Sequence, residues 1–171
     1  MVAGQSFGHR VRAAFGLEPG LTYLNHGAFG AVPLSVAEAQ AGWRRRIEAN
    51  PTRFFSDDGP EAIRAAARGL ARRFGGRGRD WAFVTNATTG VSTVLDSLRI
   101  GAGDVILTTD LAYPSVLRAL HYFTARAGAE LRIASLPVPL PGPEPVLDTV
   151  AEALSDGAAR FALFDHIASP T

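Results

Sequence analysis

Asn86, Ala87, Thr88, Thr89 and Gly90 stand between an apolar run, WAFVT at 81–85, and a helical pattern that begins near Val91. The start of a helix presents backbone N–H groups without intrahelical partners, together with a partial positive charge. Small residues there let a phosphate approach closely, and threonine hydroxyls add donors. Ala87 and Thr88 suit that task, although an ordinary N-cap on Thr88 or Thr89 is the plainer alternative. Tyr113, in DLAYP, follows the next strand pattern, and in an open α/β sheet ligands bind outside the carboxyl ends of strands. Its ring there either stacks on a flat heteroaromatic ligand or packs over the helix start beside Pro114. Asp165-His166 closes a later strand pattern and brings an ionisable pair to the same rim, unless His166 bonds locally and Asp165 caps a following turn. Asn25-His26-Gly27 adds polar groups from an amino-terminal loop, or forms an Asx-type turn of its own.

The elements that would hold these residues follow from periodicity. LTYLNHGAFGAVP at 21–33 mixes apolar residues with turn formers and reads as an ordered loop. Val36, Ala39, Gln40, Trp43 and Ile47 recur at helical spacing over 34–48, and Asn50-Pro51 predicts the end of that helix. A second helix is expected over 62–74, with Pro60 in its first turn and Gly75, Gly76 and Gly78 ending it. From there strands at 81–85, 104–109, 130–135 and 160–165 alternate with helices at 91–98, about 113–127 and 146–154, joined by a proline-rich connection at 137–145. Strands separated by helices imply parallel crossovers, hence an α/β fold with a mostly parallel sheet.

Composition narrows the function classes. In 171 residues there are 17 basic and 16 acidic side chains, so no net field favours nucleic acid or an anionic membrane surface. There is no cysteine, which excludes disulfides and thiolate metal sites. No run approaches the roughly 18 apolar residues of a membrane span, and the opening has no apolar signal segment. His9 and His121 have no companion at metal-ligand spacing. The glycines at 75–78 lack the preceding strand of a nucleotide fingerprint, and Arg44, Arg45 and Arg46 read as a solvated helix face.

Taken together, the motifs resemble the class V aminotransferase superfamily, most closely its isopenicillin N epimerase-like branch. The similar stretches are YLNHGAFGAVP at 23–33, NPTRFF at 50–55, FVTNATTG at 83–90, DLAYPSV at 110–116 and FDHIASPT at 164–171. The resemblance implies a fold-type I pyridoxal 5'-phosphate (PLP) enzyme with a three-layer α/β/α large domain. Residues 1–60 would form an amino-terminal loop and helix segment and 61–171 the first half of the PLP-binding domain. It implies an amino acid as substrate, chemistry of the epimerase, lyase, desulfurase or transaminase type, a homodimer, and a cytoplasmic location. In such enzymes the positions of Ala87 and Thr88, with Asn86 beside them, hold the cofactor phosphate, and that of Tyr113 stacks on the pyridine ring. Those of His166 and Ser169 approach the ring face or phenolic oxygen, and Asn25 and His26 line the substrate side. Ala168 departs from the threonine that relatives often carry. A larger departure is that the chain contains no lysine, the residue that links PLP to the protein as a Schiff base. Arginine cannot replace it, because its guanidinium stays protonated. The resemblance therefore implies a contribution to the cofactor cradle without the linking group; the alternative is a non-catalytic module or half of a split enzyme.

Overall fold

A computed structural model describes residues 7–168, and the chain divides into two compact units, Met1–Ala82 and Phe83–Thr171. In the first unit, α1 (Phe7–Arg12) was not anticipated from the sequence. It leads to a loop that Arg12 gathers in, donating to the carbonyls of Leu21 at 2.7 Å and Glu18 at 2.5 Å. The loop returns through a single antiparallel bridge between Phe15 and Pro33 and enters α2 (Leu34–Ala49). Asn50-Pro51 ends α2, as the sequence predicts, and a new helical run starts at once. Asn50 leaves the helical region (φ −159°), its side chain accepts the Arg53 amide at 3.0 Å, and Pro51 opens the short α3 (Pro51–Arg53). A π-helical turn, Phe54–Asp58, then runs into α4 (Gly59–Phe74). Gly59 fits because a Cβ there would lie 3.0 Å from the Phe54 ring and carbonyl. Gly75 (φ 93°) and Gly76 (φ 78°) end α4 in backbone that disfavours side chains.

The second unit holds a three-stranded, wholly parallel sheet in the order β2-β1-β3. Its members are β1 (Val105–Thr109), β2 (Glu130–Ala134) and β3 (Ala159–Ala162). All five residues of β1 are buried, as the central strand of a parallel sheet requires, and its VILTT sequence is accordingly apolar or β-branched. The chain leaves β1 by α6 (Pro114–Ala127) to reach β2, then returns by α7 (Pro143–Leu154) to β3 on the other side of β1. Right-handed crossovers in opposite directions place these two helices on opposite faces. The α6 face carries the core: Leu95 of α5 (Ala87–Ser97), Ile106 of β1, and Val116, Leu120 and Phe123 of α6.

Two strand expectations need correction. Residues 81–85 are extended at Trp81 (φ −108°, ψ 129°), yet they form no strand, because β1 is already paired on both sides and no other described strand takes them up. The last strand ends at Ala162, although Leu163 still donates its amide to the Leu107 carbonyl at 2.9 Å. Among the described residues no helix is long and apolar enough to cross a membrane.

Candidate functional site

Helix α5 delivers the NATTG segment to the carboxyl edge of the sheet. Its far end is tied to the opposite edge, where Arg160 donates to the Arg99 carbonyl at 3.0 Å and to Asp104 at 2.7 Å, and Asp104 accepts the Gly101 amide. The helix therefore runs antiparallel to β1. Its eleven residues span about 16 Å, the rise of five strand residues, so its first turn reaches the level at which β1 ends. Asn86 is the N-cap: its side chain accepts the Thr89 amide at 2.8 Å and its carbonyl accepts that of Gly90. The amides of Ala87 and Thr88, first in the helix, have no intrahelical acceptor. Thr88 is half-buried, and Thr85 lies beside the bend with its hydroxyl 3.4 Å from that of Thr89. Gly90 lets the helix sit close, since a Cβ there would meet Val84 at 3.3 Å.

Asp110, immediately after β1, accepts the Ser135 hydroxyl at 2.7 Å and the Leu136 amide at 3.0 Å, joining the ends of β1 and β2. The Ser135 bond, followed by the Leu136 amide, holds the Asp110 carboxyl below its ordinary pKa. On the other side, Asp165 accepts the backbone amide of Tyr113 at 2.6 Å, across 52 residues of sequence. The Asp165 carboxylate thus meets the N-cap residue of α6. Its partner segment is fixed by Leu163, which bonds β1 through its amide and accepts the buried Thr108 hydroxyl at 2.8 Å. Tyr113 is 45% exposed.

The structure brings Tyr113 and Asp165 into contact, and His166, next to Asp165 in sequence, is exposed. Ser169 lies outside the described residues. Asn25 and His26 belong to the first unit. There the Asn25 carbonyl accepts the amides of Ala28 and Phe29, and His26 Nδ1 accepts that of Ala31 at 3.3 Å. The Tyr23 ring meets His26 edge-on at 4.8 Å, and the Tyr23 hydroxyl donates to the Phe29 carbonyl. His26, Tyr23, Phe15 and Arg12 border a cavity of about 550 Å³ in that unit. In the second unit an apolar groove of about 280 Å³ runs between α5 and β3, bordered by Val91, Leu95, Phe161 and Leu163. Neither cavity is bordered by Ala87, Thr88 or Tyr113. Sequence reasoning passed over Ser135, Thr108 and the backbone role of Asp165. The available signal was a polar residue within or just beyond three adjacent strands.

No family model matches the chain. Among curated proteins it is 33% identical to the putative L-cysteine desulfhydrase 1 of Oryza sativa subsp. japonica, over 89% of this chain and 34% of that protein. It is also 33% identical to the isopenicillin N epimerase of Streptomyces clavuligerus, over 91% of this chain and 39% of the relative. The chain thus spans little more than a third of the length of these relatives. Among solved structures, a variant of C-DES with glycine covalently linked to its PLP cofactor superimposes with a TM-score of 0.73 at 22% identity, covering 96% of this chain and 42% of that one. The cystine C–S lyase C-DES with its product cysteine persulfide gives the same TM-score at 23% identity, over 88% and 39% of the two chains. The likenesses to solved structures establish the fold. The chain's homologues are thus isopenicillin N epimerases and cysteine desulfhydrases, class V PLP-dependent enzymes of which it spans little more than a third.

Proposed function

We propose that this chain supplies the phosphate and ring contacts of a PLP site in an enzyme that transforms an amino acid. The observation that carries this reading is a contrast between two helix starts. At the head of α6 the Tyr113 amide is already met by the Asp165 carboxylate, and Pro114 has no N–H to offer. At the head of α5, Asn86 engages only the third residue, leaving the Ala87 and Thr88 amides and the Thr88 hydroxyl for an anion. These donors fit a phosphate, and the exposed Tyr113 ring fits a flat heteroaromatic partner. Bound PLP supplies an electron sink for bonds at the substrate's α-carbon. The second unit's own residues hold and orient: Ala87 and Thr88 the phosphate, Tyr113 the ring, and His166 and Ser169 the region of the ring face. The linking lysine is not among these 171 residues. The names of the relatives support C–S lyase or epimerase chemistry, and the family resemblance supports a homodimer in the cytoplasm.

Calorimetric titration of the 171-residue chain tests the phosphate assignment. PLP is expected to bind at least about tenfold more tightly than pyridoxal, the gain of a charge-assisted contact, and Thr88→Val to erase most of that preference. Equal affinities for the two would sink the assignment. Borohydride treatment of the PLP complex is expected to fix the cofactor on no internal side chain.

The absence of lysine also favours a second reading, a non-catalytic or split-enzyme module that needs a second chain. A soluble, monodisperse 171-residue monomer with one cooperative melt would count against that need.

A further inference from the structure

We propose that Asp165 is a positioning residue, which sets the place of the Tyr113 ring by holding the Tyr113 backbone amide. This rests on the reading of Tyr113 as the ring contact and deepens it. Three observations carry it. The bond is short, 2.6 Å, and joins two segments 52 residues apart, so it fixes one loop against another rather than trimming a local turn. The acceptor stands on a rigid base, because Leu163, two residues earlier, is tied to β1 through both its amide and its carbonyl. The donor sits in a short connection, Asp110 to Tyr113, whose other end is tied to β2 by Asp110.

The Tyr113 side chain does little to hold itself. The residue is 45% exposed, and among the described residues its hydroxyl enters no hydrogen bond. Pro114 locks the following backbone into the helix, while Tyr113 is itself extended (φ −56°, ψ 131°) with no side-chain cap on the helix. The direction in which the ring leaves the sheet edge therefore depends on its backbone, and the one bond restraining that amide is to Asp165. The carboxylate is well chosen for the task. It lies at the positive end of the fourteen-residue α6, where a negative charge is favoured, and it keeps anions from that helix start, leaving the neighbouring one at Ala87 and Thr88 for the phosphate.

The test is amide hydrogen exchange and 15N-resolved NMR on the full chain. In the wild type, the Tyr113 amide is expected to be protected and shifted downfield. Asp165→Ala is expected to speed its exchange about tenfold while amides of β1 keep their rates. Asp165→Asn, which retains an acceptor oxygen, is expected to restore most of the protection. Uniform acceleration across β1 and Tyr113 alike would mark a merely structural role and overturn the proposal. Should Asp165→Ala fail to fold, the wild type alone decides: a Tyr113 amide exchanging as fast as an open loop overturns it. The binding arm separates the two layers of inference. Asp165→Ala is expected to weaken PLP binding by about threefold to tenfold, the range of an aromatic contact, with inorganic phosphate affinity unchanged. If Tyr113→Ala leaves PLP affinity untouched, the ring contact fails; if Tyr113→Ala weakens it but Asp165→Ala does not, the positioning role fails.

Discussion

Asn86 does two things that substitution can separate. Its side-chain oxygen satisfies the Thr89 amide at 2.8 Å, and its neutrality leaves the helix start open to an anion. Asn86→Ala removes the cap and is expected to cost about 1 kcal/mol in a denaturant melt. Asn86→Asp keeps the cap and should leave stability within about 0.5 kcal/mol of the wild type. Its carboxylate nevertheless competes with phosphate, so PLP affinity in calorimetry is expected to fall in Asn86→Asp more than in Asn86→Ala. The reverse order would place the phosphate elsewhere. Asp110 offers a pH test. Hydrogen bonds from Ser135 and Leu136 hold its folded carboxyl below the ordinary value. A depressed folded pKa gives stability that is complete above the unfolded value, about 3.9, and that is lost as pH falls through the lower folded one. Asp110→Asn keeps one acceptor oxygen and gives up the charge. It is expected to cost about 0.5–1 kcal/mol at pH 7, a small figure because the residue is exposed. The gap from the wild type should close below about pH 4, read from urea midpoints across pH. A gap independent of pH would remove the charged bond from the account.

Element by element, the two crossover helices differ in what they bury. Leu120 of α6 is fully buried in the cluster with Leu95, Ile106, Val116 and Phe123. Leu147 of α7 is 66% exposed, and no residue of that helix is fully buried. Leu120→Ala is expected to cost about 3 kcal/mol, transfer plus cavity, and Leu147→Ala less than about 0.5 kcal/mol, measured by urea denaturation. Comparable losses would mean that α7 packs more tightly than its exposure indicates. These helices were legible in the sequence because their ends are written in it: Pro114 opens α6 and Gly128, left-handed at φ 68°, closes it. The same holds for β1, whose VILTT run can only be a buried strand or a helix too short to persist. Residues 81–85 misled because an apolar β-prone run records the wish to pair, while a strand exists only where a neighbour presents its edge. The π-helical turn at Phe54–Asp58 was invisible for a related reason, since it depends on the fit of Gly59 against Phe54 rather than on local propensity.

Across the whole molecule, stability is concentrated where long-range contacts close the core. The motif residues were legible as strand-end polar groups, but the bond between Tyr113 and Asp165 was not. Nothing local in sequence says that two strands 50 residues apart will lie side by side. Their adjacency comes from the β2-β1-β3 order, in which the chain crosses back over β1 to reach β3, and that order makes β1 the strand on which all else rests. Its amides are paired on both flanks, and Ile106, Leu107 and Thr108 are almost wholly screened from solvent. The loop at 21–33, by contrast, is held by a few backbone turns, with Leu24 87% and Phe29 78% exposed. Opening free energies should follow that gradient, since an amide exchanges through the cheapest opening that frees it. Native-state hydrogen exchange is therefore expected to find the slowest amides in Val105–Thr109 and in the buried turns of α6, at or near the global unfolding free energy, and those of 21–33 faster by several orders of magnitude. Slowest exchange in α2, which buries no residue, would show that the stable centre is not the parallel sheet and that the carboxyl edge is not the rigid platform on which the proposed site depends.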